Sequence, residues 1–108
     1  MRNSGIGFIG LGQMGLGMAN NLAKIAAPFY AYDAVPAVTD RLDGDDIIIA
    51  STLGNLAANC HLIFLCLPSA KEVNEVIFGA GGIAESAQGD LAIIDTSTID
   101  RLEAIAIH

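Results

Sequence analysis

Three glycines near the start of the chain, Gly10, Gly12 and Gly15, stand at the spacing G-x-G-x-x-G. That spacing carries chemistry only where a strand leads into it and a helix leads out. Residues 5–9 read as a short buried strand. From Met14 onward, Met14, Met18, Leu22 and Ile25 fall on one helical face. In that setting each glycine has a task. Gly10 permits a tight turn, Gly12 lets a diphosphate approach bare backbone, and Gly15 lets the helix close onto the sheet. The N–H groups of the first helical turn, at the positive end of the helix dipole, receive the phosphates. The plainer alternative is a glycine-rich turn with no ligand; the strand–turn–helix context argues against it.

A second chemistry-bearing residue, Asp33, ends the predicted second strand 29–32. It stands roughly 20 residues beyond the turn, where a carboxylate accepts hydrogen bonds from the adenosine ribose of a dinucleotide. It would repel a 2′-phosphate, and Ala34-Val35-Pro36 offers no Arg to hold one, so NAD is favoured. Arg41, two turns into the next helix, keeps NADP possible. Asp33 can equally cap that helix, and the two roles are compatible. Leu65-Cys66-Leu67-Pro68-Ser69 closes the predicted fourth strand at the carboxyl edge, where open α/β sheets bind ligands. Pro68 either turns this backbone into a cleft wall or simply stops the strand. Asp95-Thr96-Ser97-Thr98 ends the fifth strand at the same edge. Its hydroxyls suit a substrate carboxylate or a nicotinamide ribose, and equally a helix cap; Asp100-x-x-Glu103 is a further capping box. Cys60 beside His61 resembles a nucleophile–base pair, but sequence neighbours point different ways and a lone free Cys is ordinary core packing. Lys24 and Lys71 read as solvated helix surface, and His108 as a terminal residue with no role.

The elements that must position these residues follow from the rest of the chain. It has 108 residues, 53% of them hydrophobic, enough to bury the core of one domain. Five Lys and Arg against twelve Asp and Glu leave a formal charge of −7. That excludes a nucleic-acid or anionic-membrane surface and obliges any bound anion to rely on backbone N–H groups. Two cysteines at neither C-x-x-C nor zinc spacing argue against a disulfide framework or a metal site, and for a reducing, cytoplasmic compartment. Glycines interrupt the apolar start too often for a secretory signal or a membrane span. Pro28 ends the first helix, and a second runs from Pro36 to about Leu42. After the turn Asp43-Gly44-Asp45 come a buried strand 47–50, a short helix around Leu53, Leu56 and Ala57, and a strand 62–67 stopped by Pro68. Ser69 and Glu72 form a capping box before a helix carrying Val73, Val76 and Ile77. A loop with Gly79, Gly81 and Gly82 precedes the fifth strand, 91–94, and a last helix begins before His108. Strands that are apolar on both faces and alternate with helices define an α/β fold. The expected architecture is a doubly wound, mostly parallel Rossmann sheet, truncated after the fifth strand.

The run Gly7-Phe8-Ile9-Gly10-Leu11-Gly12-Gln13-Met14-Gly15, continuing through Met18-Ala19-Asn20-Asn21-Leu22, resembles the start of the β-hydroxyacid dehydrogenase family. That family includes 3-hydroxyisobutyrate dehydrogenase, tartronate semialdehyde reductase and 6-phosphogluconate dehydrogenase. Cys66-Leu67-Pro68-Ser69 is similar to its cofactor-lining loop and Asp95–Asp100 to its substrate motif, and Tyr32-Asp33 looks most like the NAD-using 3-hydroxyisobutyrate branch. The resemblance implies that Leu11, Gln13 and Met14 line the pyrophosphate and ribose. It implies too that Leu67 and Pro68 border the nicotinamide, Thr98 contacts the cofactor and Ser97 binds the substrate carboxylate. A full-length relative would transfer hydride between a small 3-hydroxy acid and nicotinamide, as a homo-oligomer. Arg101 stands where the family usually has Pro. The chain stops at 108, ahead of the family's catalytic Lys and helical domain, so no catalytic residue is expected within it.

Residues 1–108 are therefore expected to form an incomplete NAD(P)-binding Rossmann domain, the cofactor-binding segment of an NAD-dependent 3-hydroxyacid dehydrogenase. The alternative is a non-catalytic NAD(P)-binding module or a degenerate gene fragment. Methyl transfer is disfavoured because Phe8-Ile9 stands where such sites carry an acid, and a flavin because the two downstream motifs do not suit it. Alone, the chain is expected to self-associate through its fifth-strand edge and the uncovered Leu102, Ile105 and Ile107.

Overall fold

The computed structural model describes residues 5–25, 28–42, 44, 46–87, 90–96 and 103–107. Five strands run parallel: β1 (Gly5–Ile9), β2 (Phe29–Tyr32), β3 (Ile47–Ile49), β4 (Cys60–Leu65) and β5 (Leu91–Asp95). A sixth, β6 (Glu103–Ile107), pairs antiparallel with β5, and the sheet order is β3-β2-β1-β4-β5-β6. Four helices connect the strands: α1 (Gln13–Ala23), α2 (Leu53–Asn59), α3 (Ala70–Phe78) and α4 (Ile83–Ser86); a 3-10 helix spans Pro36–Arg41.

Each central strand is apolar on both faces because both faces are covered. On one side Phe8, Phe29 and Ala31 pack with Leu11 and Ala19, and the Phe8 and Phe64 rings stack 6.2 Å apart. On the other, Ile9, Ile63, Leu65 and Ile93 meet Leu56, Ala57, Val73, Ile77 and Ile83 from α2, α3 and α4. Thr52 caps α2 by accepting the Asn55 N–H at 3.0 Å.

Several local expectations change. Of the predicted α1 face, Met18 and Leu22 pack against the core beside the buried Gly15 and Ala19, while Met14 is 50% exposed and Ile25, beyond the helix end, 83%. Small residues let the helix lie close, with Met18 and Leu22 packed beside them. Residues 36–41 form a 3-10 helix with no buried residue rather than an α-helix; without an apolar face to bury, nothing pulls it into a longer α-helix. The run 47–50 is an edge strand, not a buried one: Ile48 and Ile49 are about half exposed because no strand lies beyond β3. Strand β4 runs from Cys60 to Leu65, leaving Cys66-Leu67 outside the ladder as its exit. Helix α4, with Ile83 buried, occupies what reads as a loop.

The segment after the fifth strand is β6 where a helix is expected, so the sheet does not end at β5. The sequence Glu-Ala-Ile-Ala-Ile alternates with a period of two, and the open β5 edge supplies partners for its backbone groups. Among the described residues, no helix is long and apolar enough to cross a membrane.

Gly17 lies exposed within α1, and a Cβ there would have nothing within 4 Å. Gly17→Ala is therefore expected to raise stability by about 0.5–1 kcal/mol, read as an increased melting temperature.

Candidate functional site

The chain winds one way from β1 through β2 to β3 and the other way from β4 to β5. The switch lies between β1 and β4, where a crevice forms at the carboxyl ends of the strands. A cleft of about 530 Å³ opens there. The glycine turn supplies Gly10, Gly12, Met14 and Gly15; the β2 exit supplies Tyr32, Asp33 and Ala34. Cys66, Leu67 and Pro68 form the wall after β4, and Glu72 and Val76 of α3 complete it.

The three glycines are present for three different reasons. Gly10 has φ +99°, and a Cβ there would lie 2.1 Å from the Cys66 carbonyl oxygen. A Cβ on Gly15 would lie 2.0 Å from the Gly10 carbonyl oxygen. These two positions are fixed by the chain's own packing. Gly12 is different: its φ of −63° and ψ of −177° suit any residue, and a Cβ there would meet nothing within 4 Å. The fold itself does not require a glycine at 12, and its bare backbone borders the cleft.

Gly12 is also the N-cap of α1, and no side chain caps that end. Leu16 N–H bonds back to the Gly12 carbonyl at 2.7 Å, so the N–H groups of Gln13, Met14 and Gly15 have no acceptor within the helix. Together with the helix dipole they make an anion-binding end in a protein of net negative charge.

Asp33 faces this end from β2. One oxygen, Oδ2, accepts the Leu11 N–H at 2.6 Å; Oδ1 accepts the Val35 N–H at 2.8 Å. Val35 is the N-cap of the 3-10 helix, so Asp33 supports that helix start and lines the cleft together. A carboxylate has about four lone-pair sites, which leaves capacity for hydroxyl donors. Arg41 is exposed and is not among the cleft residues; no Lys, Arg or His among the described residues lines it.

The β4 exit is tied in on both sides. Cys66 N–H donates to the Ile9 carbonyl at 2.9 Å, and the Thr96 hydroxyl and N–H both donate to the Leu65 carbonyl, at 2.6 and 2.8 Å. Burial pushes the Cys66 thiol up; a hydrogen bond with Thr96 opposes this and the Asp95 charge adds to it. The expected capping box at Ser69 takes another form: the Ser69 hydroxyl donates to the Glu72 carboxylate and makes no bond to the helix backbone. That bond first, and then the backbone N–H of Glu72, hold its carboxyl below the usual range. Cys60 is buried with its thiol pushed up to about 12 by burial, while His61 beside it is exposed; they do not form a pair.

Of the residues singled out in the sequence, Gly10, Gly12, Met14, Gly15, Asp33, Leu67 and Pro68 come together in the cleft. Leu11 does not line it: its side chain is 1% exposed in the core and its N–H is taken by Asp33. Gln13 opens α1. Ser97 and Thr98 lie outside the described residues. Sequence reasoning did not pick out Glu72 and Val76 as cleft residues. The available signal was their i, i+4 spacing in the helix directly after Pro68, which brings one α3 face to the same edge.

A parallel sheet with a glycine-built anion site at its switch point, and a carboxylate on the neighbouring strand, defines a dinucleotide-binding α/β domain. The comparisons with known proteins agree. Residues 5–108 match the family model described as the NAD binding domain of 6-phosphogluconate dehydrogenase, and the chain belongs to this family of NAD(P)-binding domains. It is 39% identical over 95 residues to mitochondrial 3-hydroxyisobutyrate dehydrogenase of Mus musculus, an alignment covering 88% of this chain and 28% of the relative. It is 34% identical over 98 residues to 3-sulfolactaldehyde reductase of Escherichia coli strain K12, covering 91% and 33%. The chain thus spans 28–37% of the length of the curated relatives it matches. Among solved structures, Mycobacterium tuberculosis 3-hydroxyisobutyrate dehydrogenase with L-serine shares the fold at a TM-score of 0.74 and 20% identity, over 88% of this chain and 32% of that one. Psf3 in complex with NADP+ and 2-OPP shares it at 0.75 and 23%, over 87% and 34%.

Proposed function

We propose that this domain holds NAD for an oxidoreductase acting on small 3-hydroxy acids. One observation carries the reading: the open space over Gly12, backed by the uncapped N–H groups of α1 and faced by Asp33. Gly12, Gln13 and Met14 present backbone donors to the diphosphate. Asp33 accepts from the adenosine ribose, and Leu67 and Pro68 wall the nicotinamide half. Ser97 and Thr98, by their place in the sequence, meet the substrate carboxylate and the cofactor. A bound nicotinamide dinucleotide supplies the two-electron acceptor. The names of the relatives support the substrate class, as both name enzymes of small functionalised acids or aldehydes. Two free thiols, Cys60 and Cys66, support a reducing, cytoplasmic setting. A homo-oligomer is the form proposed for the complete enzyme.

The cofactor preference follows from charge. A 2′-phosphate would approach Asp33 with no cationic side chain among the described cleft residues to offset it. NAD is expected to bind at least about tenfold more tightly than NADP, a difference of ~1.4 kcal/mol. Isothermal titration with both dinucleotides checks this; tighter binding of NADP would overturn the preference, and heat from neither would overturn the cofactor reading.

A second reading, a non-catalytic nucleotide-binding module, is compatible with the same cleft, in which no Lys or His among the described residues stands to move the proton of a hydroxyl. Both readings place binding and orientation, not proton transfer, in these residues. They part on whether the gene continues into a Lys-bearing helix.

A further inference from the structure

We propose that Asp33 is a positioning residue for the glycine turn, clasping it in place before any ligand arrives; the ribose contact is then its second task. This rests on the dinucleotide reading for the ribose half alone. The clasp itself is a matter of the protein's own hydrogen bonds.

The turn from β1 into α1 is anchored to the β2 exit at two consecutive residues. Gly10 N–H donates to the Tyr32 carbonyl at 3.1 Å, and Leu11 N–H donates to Asp33 Oδ2 at 2.6 Å. The other Asp33 oxygen takes the Val35 N–H at 2.8 Å, which fixes the carboxylate to its own loop. Hydrogen bonds to a carboxylate are roughly twice as strong as neutral ones, so the Leu11 bond is the stronger of the two that hold the turn to the β2 exit. The next residue, Gly12, has open space where a side chain would be. The position of its backbone over the cleft is therefore set one residue earlier, by the clasp and by the buried Leu11 side chain.

Two consequences follow. Leu11 N–H is engaged by Asp33 and is not offered to a diphosphate, whose donors begin at Gly12 and the first turn of α1. Removing the carboxylate also loosens the turn, so affinity falls for ligands that never touch Asp33. Replacing Asp33 to admit a 2′-phosphate would then weaken both dinucleotides.

The test combines a ligand-free and a ligand-bound measurement on the 108-residue chain as wild type, Asp33→Asn and Asp33→Ala. Amide hydrogen exchange is followed by NMR without ligand. The expected result is exchange at Leu11 at least about tenfold faster in Asp33→Ala, with a smaller increase in Asp33→Asn, whose amide oxygen retains one acceptor. Protection at Cys66, which bonds to β1, stays unchanged and certifies the fold; if the Ala variant does not fold, the Asn variant carries the comparison. Binding of NAD and of its 2′,3′-dideoxyadenosine analogue is then titrated. A ribose contact alone predicts equal affinity of wild type and Asp33→Ala for the analogue. The clasp predicts a loss of about fivefold or more. Unchanged exchange at Leu11, or equal affinity for the analogue, overturns the proposal. A wild type that binds neither ligand while Leu11 stays protected overturns the dinucleotide reading and leaves the clasp standing.

Discussion

A chain carrying Gly10→Ala is expected to lose on the order of 3 kcal/mol of stability or more. Two effects add. The backbone at φ +99° is a conformation that an L side chain adopts only at about 1–3 kcal/mol. The new Cβ would also lie 2.1 Å from the Cys66 carbonyl oxygen. That oxygen is backbone, on a residue whose own N–H is tied to Ile9, so it cannot swing aside as a flexible side chain would. Overpacking of this kind typically costs a further 1–3 kcal/mol. Small domains have only ~5–15 kcal/mol in total, so the melting temperature should drop by more than about 10 °C in thermal unfolding followed by circular dichroism. Gly15→Ala is destabilising for the second reason alone, through contact with the Gly10 carbonyl. A Gly10→Ala chain that melts like wild type would show that the turn does not sit against the β4 exit.

Gly12→Val should behave in the opposite way, leaving the fold and removing the ligand. The backbone at 12 is extended and a Cβ there meets nothing within 4 Å, so stability should change by only about 1 kcal/mol, mostly through a poorer N-cap. In the complex that same volume is where a diphosphate reaches the N–H groups of α1. Losing even two hydrogen bonds to a charged group, at about 1.5–3 kcal/mol each, lowers affinity on the order of a hundredfold or more. Melting curves and NAD titration on the same preparation check both halves. Equal affinity in Gly12→Val and wild type would mean that the dinucleotide, if it binds, lies elsewhere. The pair of substitutions separates a glycine needed by the fold from one needed by the ligand, although both belong to a single motif.

Much of this was legible in the sequence, for identifiable reasons. Strands apolar on both faces require cover on both faces, which is enough to give the doubly wound sheet. The glycine spacing between a strand and a helix places the turn, and a proline after the fourth strand places its opposite wall. Other features were hidden. The periodicity of α1 points to Met14, Met18, Leu22 and Ile25, of which the middle two pack on the core; the ends of the stripe are exposed, and Gly15 and Ala19 are the residues buried beside it. Ile47–Ile49 has the composition of a central strand and lies at an edge, since strand order is a long-range property that local pattern does not encode. The segment Glu103–Ile107 fits a helix and a strand about equally on its own; pairing with β5 decides it. The family resemblance implies a ligand role for Leu11; what local pattern does not show is that its side chain is buried in the core and its N–H donates to Asp33. Glu72 and Val76 enter the cleft only because α3 starts immediately beyond Pro68 and turns one face toward the switch point.

The most direct measurement is NAD titration into the isotopically labelled chain, followed by amide chemical shifts. Saturable changes concentrated at Gly12, Gln13, Met14, Asp33 and Leu67, with the far ends of β1 and β4 unmoved, are the expected outcome. Changes that never saturate, or that gather away from the α1 N-terminus, would contradict a coenzyme seated on that bare stretch of backbone.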